Sequence, residues 1–202
     1  MGAPRRFTHR EFEKVRHLSP AEQARELGCS LRTVQRHYAG LRDTTPTILD
    51  PASGARTFYF DPDDERVVFG DIRTESHLLS DGRVFEIRPD VQLDFRSLPY
   101  DDGTFRMVVF DPPHLLWAGK RAWLAKRYGK LDRDSWRDDL RRGLAECFRV
   151  LDPGGTLVFK WSETDIPLRE VLRLTPERPV LGHRSGKHAR THWVLFLKAS
   201  DA

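Results

Sequence analysis

Four acidic residues directly follow short, β-prone apolar runs. Asp50 follows Ile48-Leu49, Asp71 follows Val67-Val68-Phe69-Gly70, Asp94 follows Val91-Gln92-Leu93, and Asp111 follows Met107-Val108-Val109-Phe110. Each interval is long enough for one strand and its return connection. In an open α/β sheet, ligands bind beyond the carboxyl ends of the strands, so four carboxylates placed this way can line one crevice. There they accept hydrogen bonds from hydroxyl, amine and ammonium groups. The last acid opens the run Asp111-Pro112-Pro113-His114. The Asp111 carboxylate and the Pro112 carbonyl offer two acceptors on a loop stiffened by two prolines. That pair suits a planar amine with two N–H bonds. His114 can stack on a ring, hydrogen-bond a ligand, act as a base, or simply close the loop. No paired ligand spacing accompanies it, so no metal is expected.

The elements that position these residues fall into two segments. From Thr47 onward, short β-rich runs alternate with helical ones, and Leu157-Val158-Phe159 and Trp193–Leu197 add two more strands. The alternation predicts an α/β sheet. Leu140, Leu144, Cys147 and Leu151 recur at helical spacing and predict a helix over about 135–151, ended by the turn Asp152-Pro153-Gly154-Gly155. Residues 7–42 read as helices only. Thr8-His9-Arg10-Glu11 and Ser19-Pro20-Ala21-Glu22 have the form of capping boxes, and Ser30 can cap a third helix with Leu31, Val34, Tyr38 and Leu41 on one face. The expected division is residues 1–44 and 45–202, with a linker at Asp43-Thr44-Thr45-Pro46.

In their order, the motifs of the second segment resemble class I S-adenosylmethionine-dependent methyltransferases. The resemblance covers about Ile48–Lys198 and implies a Rossmann-like sheet with helices on both faces. Asp50-Pro51-Ala52-Ser53-Gly54 is similar to the family's first motif. It implies that Asp50 accepts from the cofactor's ammonium and that Pro51, Ala52 and Gly54 bring backbone close to its methionine end. Asp71, with Ile72 beside it, is placed like the acid that binds the ribose hydroxyls. Asp94-Phe95 resembles the pair at the adenine, with the acid accepting from the exocyclic amine and the ring packing on the base. Leu98-Pro99-Tyr100-Asp101-Asp102-Gly103-Thr104-Phe105 and Arg149-Val150-Leu151-Asp152-Pro153-Gly154-Gly155-Thr156-Leu157 resemble the lead-ins to the fourth and fifth strands.

The loop at 111–114 resembles that of amino-methyltransferases, which carry an acid or amide, two prolines and an aromatic residue. There the acceptors draw an exocyclic amine toward a tetrahedral form whose lone pair faces the methyl group. The whole arrangement resembles small bacteriophage or prophage methyltransferases. Three features depart from the pattern: His114 stands where Tyr, Phe or Trp is usual, the first loop has one glycine, and Ala55–Pro62 is too short and aromatic for the usual long first helix. The insert Ser80–Phe85 reads as a hairpin.

In the first segment, Ala24, Gly28 and Val34 have the spacing that resembles a helix-turn-helix over about Pro20–Leu41. The resemblance implies that Arg32, Thr33, Gln35 and Arg36 face a major groove. A three-helix cap or a dimerisation arm has the same pattern. Trp117, Lys120, Arg121, Trp123, Lys126, Arg127 and Tyr128 interleave rings with cations, as suits bases and phosphates, or an amphipathic helix with solvated charges. Arg184 and Lys187 lie in a basic, glycine-containing stretch, Gly182–Arg190, that reads as a flexible loop before the last strand. Lys160 and Glu163, after the fifth strand, can face the same crevice.

Composition bounds these readings. The chain has 202 residues, 39% of them apolar, and a formal net charge of +4. It suits one domain with a small appendage, and a mild basic excess fits a nucleic-acid partner without requiring one. The two cysteines have no metal or CxxC spacing, no apolar run is long enough to span a bilayer, and the N-terminus lacks the apolar stretch of a secretion signal. A cytoplasmic protein is expected. The leading expectation is a DNA amino-methyltransferase acting on adenine or cytosine. Methylation of RNA, a nucleotide or another small amine stays open, as does a DNA-binding regulator whose α/β domain senses the cofactor or has lost catalysis.

Overall fold

The helical and β-prone segments separate as their patterns differ. The computed structural model describes residues 14–15, 18–30, 34, 47–78, 82–117, 119, 123–185, 188 and 190–200. The chain divides into two compact units, Met1–Thr45 and Pro46–Ala202.

In the first unit, α1 (Pro20–Glu26) begins with a complete capping box. Ser19 accepts from the Glu22 N–H, and the Glu22 carboxylate accepts from the Ser19 N–H at 2.8 Å. Two of the orphan amides at the helix start are thereby satisfied. The helix ends at Gly28, whose φ of 63° is the left-handed conformation in which glycine carries no steric penalty. The Cys29 N–H then reaches the Ala24 carbonyl and the Gly28 N–H reaches the Arg25 carbonyl, closing a Schellman turn. Ala24 and Val34 are buried against each other, with Leu27 and Cys29 alongside. Most of the expected third helix, including Arg32, Thr33, Gln35 and Arg36, lies outside the described residues.

The second unit is built on a seven-stranded sheet. Strands β1 (Ile48–Asp50), β2 (Val67–Asp71), β5 (Val91–Gln92), β6 (Phe105–Phe110) and β7 (Leu151–Ser162) are parallel, while β9 (Thr191–Leu197) runs antiparallel to β7 and pairs with β8 (Leu181–Ser185). The order is β5-β2-β1-β6-β7-β9-β8. From β1 the chain steps outward to β2 and β5, then returns to the other side of β1 as β6. The switch point of this Rossmann-like α/β sheet therefore lies between the carboxyl ends of β1 and β6, where such sheets leave a crevice. The insert predicted as a hairpin joins β3 (Glu75–Leu78) to β4 (Val84–Ile87) as a separate antiparallel ribbon.

The two faces of the sheet are covered differently. On one face, helix α3 (Trp136–Val150) buries Leu140, Leu144, Cys147 and Val150 against Leu49, Val108, Leu157 and Phe159. Short helix α4 (Leu168–Leu172) adds Val171 to the same cluster. On the other face, the connection from β1 to β2 contains no helix, as its short aromatic sequence predicted. Phe58 and Tyr59 lie there instead, with Phe58 edge-on to Trp193 and Tyr59 edge-on to Phe69. Arg56 anchors this loop. Its backbone has a left-handed φ of 54°, and its guanidinium reaches the Pro62 and Arg88 carbonyls and the Asp90 carboxylate. Helix α2 (Trp123–Tyr128) lies near the strand ends, with Trp123 edge-on to Phe85 of the hairpin.

Two local expectations need correction. The sequence predicts a free turn at residues 152–155, yet they lie within β7: Leu151 pairs with Phe105 and Thr156 with Met107, so the intervening residues form an irregularity in a continuing strand. The stretch from Gly182, which reads as a loop, is strand through Ser185. Register with β9, from Leu181 opposite Leu195 to Ser185 opposite Thr191, makes it so. Its own composition is that of a solvated edge, and its pairing partner decides its state.

Candidate active site

The carboxyl ends of β1, β2, β5 and β6 converge on a cleft of about 260 Å³. Pro51, Ala52, Asp71 and Ile72 line it on the β1–β2 side, Asp94, Phe95, Asp111 and Pro113 line it further along, and the stretch Tyr128–Asp132 also faces it. Gly54 lines a small adjoining pocket that shares Ala52, Arg73 and Asp111 with the cleft. Asp50 lies beneath the first loop and is fully buried. Its carboxylate accepts from the Ala52 N–H at 3.1 Å and the Tyr59 hydroxyl at 2.9 Å. Burial raises its pKa to about 7.

Asp71 and Asp94 are each held by an arginine two residues on. Asp71 Oδ1 accepts from the backbone N–H and Nε of Arg73, and Oδ2 accepts from Arg73 Nη2 and the Gly54 N–H. These bonds use the four acceptor positions a carboxylate has. Arg73 Nη1 also donates to the Lys126 carbonyl of α2 at 3.0 Å. Asp94 is bound the same way by Arg96, which lowers the pKa of the acid, and Arg96 Nη1 continues to Asp139 on α3 at 2.8 Å. Phe95 stands edge-on to Phe110 with centroids 5.3 Å apart. It can do so because Gly143 of α3 has no side chain: a Cβ there would lie 2.6 Å from the Phe95 ring.

Asp111 stands at a junction. It lines the cleft, the small pocket and a further chamber of about 220 Å³ walled by His114, Leu124, Tyr128, Lys160 and Thr191. Its Oδ2 is ion-paired with the Lys160 ammonium. Burial raises the pKa of Asp111, and Lys160 pulls it the other way. His114 is buried, tilted against Tyr128 at 5.4 Å and edge-on to Trp161 at 6.3 Å. Burial first, and the nearby Lys160 cation second, lower its pKa to about 4, so the ring is neutral near pH 7. After the loop, Asp165 accepts the Leu116 and Trp117 N–H groups at 2.6 and 3.1 Å.

No family model matches the sequence, and no curated protein matches it. Among solved structures the chain is similar to a protein from Pyrococcus horikoshii OT3, at 15% identity over 92% of this chain and 98% of that one, with a TM-score of 0.49. It is also similar to a SAM-dependent methyltransferase from Methanosarcina mazei, at 11% identity over 80% and 97% of the two chains and a TM-score of 0.45. A SAM-dependent methyltransferase from Aquifex aeolicus aligns at 13% identity over 79% and 88%, with a TM-score of 0.42. The chemistry of the cleft is set by the chain's own strand order and side chains.

The structure brings Asp71, Asp94, Phe95 and the 111–114 loop to one place. Lys160 joins them. Glu163 faces elsewhere, accepting from the Leu168 N–H at the start of α4 and lying 2.8 Å from His192 Nε2. Arg127 lines the small pocket, while Arg184 is exposed on edge strand β8, away from the cleft. Lys120, Arg121 and Lys187 lie outside the described residues. Sequence reasoning missed Arg73, Arg96, Tyr59 and Asp165. The two arginines carry a legible signal, because each stands two residues after a strand-end acid, where its amide can close a turn on that carboxylate.

Proposed function

We propose that the chain is an S-adenosylmethionine-dependent methyltransferase acting on the exocyclic amine of a nucleic-acid base, adenine N6 or cytosine N4 in DNA. The observation that carries this reading is the position of Asp111, whose carboxylate is shared by the strand-end cleft and a second chamber with aromatic and hydroxyl walls.

The residues around the cleft fit the cofactor's parts. Asp71 suits the ribose hydroxyls, Asp94 the adenine amine, and Ile72 and Phe95 the faces of the ring. The small pocket suits the amino-acid end, because two polar atoms that bond no other protein group are buried on its wall, Ser53 Oγ and Arg127 Nε. When bound, the cofactor supplies an electrophilic methyl on sulfonium sulfur: the amine lone pair forms the C–N bond, and the S–C pair stays on sulfur as a thioether. The chain's own residues prepare the amine. The Asp111 carboxylate and the Pro112 carbonyl accept its two N–H bonds, which localises the lone pair on nitrogen. The prolines limit the ordering cost of that geometry. His114, neutral and packed on Tyr128, offers a ring to the base. The proton released on methylation passes to the ionised Asp111 carboxylate, which faces the chamber.

Within this reading residues 1–44 form a helix-turn-helix that engages DNA through Arg32, Gln35 and Arg36, and residues 45–202 carry catalysis. Ala24 packed on Val34 across the left-handed Gly28 supports it. A duplex base must leave the stack to reach such a chamber.

Transfer of labelled methyl to duplex DNA, single-stranded DNA, RNA and nucleosides tests the proposal. Labelled DNA is expected, with Asp111→Ala reducing the rate by roughly 10²–10³-fold, the scale of losing one oriented polar group. Label in RNA alone overturns the DNA assignment. Binding of cofactor and DNA without any transfer would make the chain a sensor.

A further inference from the structure

Lys160 is part of no motif in the sequence, yet it touches the reacting group of the proposed site. It lies on β7 opposite Trp193 of β9, and its ammonium stands 5.0 Å from the Phe58 ring centroid and 5.7 Å from that of Trp193. A lysine has four carbon links and is ordinarily free at its tip. Here two ring faces and a carboxylate fix it. Both ends of the Lys160–Asp111 pair are largely removed from solvent, with side chains 19% and 16% exposed, so the pairing is screened much less than at a surface. Among the described residues no hydrogen bond reaches Asp111 Oδ1, which leaves that oxygen available on a loop fixed by two prolines.

We propose that Lys160 is the positioning residue of this site: by holding Oδ2 in an ion pair it turns Asp111 Oδ1 toward the acceptor amine and favours the carboxylate form. The inference rests on the proposed role of Asp111 as the amine's acceptor. Its chemical content is that only the ionised acid accepts two ways. A protonated Asp111 keeps only its neutral carbonyl oxygen as a weaker acceptor, and its O–H meets neither the Lys160 ammonium nor an amine N–H. Lys160 also makes the chamber selective. A substrate whose ring carries an acceptor beside the amine can meet the ammonium that already sits at the Asp111 edge, whereas a simple alkyl ammonium meets a cation.

Several groups face this pair. Asp50 from the end of β1 and Tyr59 from the first loop act on the same buried region, and both feel the Asp111 charge. His114 is on the same loop as Asp111 and feels Lys160. Arg73 and Arg127 line the small pocket that Asp111 shares. Among the described residues, Lys160 alone is ion-paired with Asp111.

The test compares wild type, Lys160→Met and Lys160→Arg in the full chain, after thermal unfolding shows that each is folded. The first readout needs no turnover: the Asp111 carboxyl is titrated by carbon-13 NMR on aspartate-labelled protein, with Asp111→Asn identifying the signal. Lys160→Met is expected to move that titration upward by about one unit or more, the usual effect of removing an adjacent opposite charge, and Lys160→Arg to return it toward wild type. The second readout is the pH profile of methyl transfer. Its acid limb should rise by the same amount in Lys160→Met, with kcat down at least tenfold and cofactor Kd unchanged. An Asp111 titration that does not move on loss of Lys160 overturns the proposal. So does a moved titration with an unchanged acid limb. A titration that moves on loss of Lys160, in a protein whose wild type methylates no amine, supports the ion pair and overturns the enzymatic reading of Asp111 instead.

Discussion

Replacing Gly143 by alanine sets two opposing magnitudes against each other. Gly143 lies inside α3, where alanine is ordinarily favoured over glycine by about 1 kcal/mol. The added Cβ would lie 2.6 and 2.9 Å from two carbons of Phe95 and 3.1 Å from Phe110 Cζ. Carbon atoms in contact sit about 3.5–4.0 Å apart, so the methyl group enters occupied space. Overpacking of this kind costs roughly 1–3 kcal/mol. Phe110 is fully buried, while Phe95 is half-buried beside the cleft, so Phe95 is the ring that moves. The net expectation is a loss of about 0–2 kcal/mol, the overpacking cost less the helix gain. A loss of 1 kcal/mol lowers Tm by about 2–4 °C in a domain of this size. Cofactor affinity should fall further than stability, because Phe95 lines the cleft and in the proposed function packs on the adenine. Calorimetric titration with S-adenosylhomocysteine alongside thermal unfolding separates the two quantities. A variant that is more stable than wild type and binds the nucleoside equally well would show that Phe95 is not held by the missing side chain.

Two further outcomes are expected from neighbouring residues. His114 is neutral in the folded chain with its pKa lowered to about 4, while unfolded histidine titrates near 6.5. Its contribution to stability is therefore complete above about pH 6.5 and lost as pH falls toward 4, where the unfolded chain binds the extra proton. His114→Phe should flatten urea-unfolding stability over that window, and an unchanged slope between pH 6.5 and 4.5 would refute the assignment. Asp165→Ala removes the acceptor of two amides in the segment after the 111–114 loop. It is expected to destabilise by about 1–3 kcal/mol and to speed amide exchange at Leu116 and Trp117, and exchange at wild-type rates would count against that anchor.

Much of this fold was legible because apolar β-prone runs and the helical spacing of Leu140, Leu144 and Cys147 are properties of contiguous sequence. Strand β8 was not, since Gly182, His183, Arg184 and Ser185 become strand only by lying against β9. The strand-end acids were legible for a topological reason: in a parallel sheet the residue after each strand arrives at the same edge. Their partners divide by sequence distance. Arg73 and Arg96 reach carboxylates two residues away, so their pairing is local chemistry. The Lys160–Asp111 pair spans two strands and depends on Phe110 lying opposite Phe159, a register that exists only once β6 and β7 are side by side. Asp165 reaches across a similar gap to Leu116, and nothing in either stretch advertises it.

The Arg73 guanidinium ties the end of β2 to the backbone of α2 and, with the Arg73 and Gly54 amides, fills the acceptor positions of Asp71. A diol can reach that carboxylate only by displacing the guanidinium. That same guanidinium is bonded to the Lys126 carbonyl, two residues before Tyr128, which walls both cavities. In the proposed function the cofactor's diol therefore competes with Arg73 for Asp71, at a side chain that also steadies a wall of the second cavity.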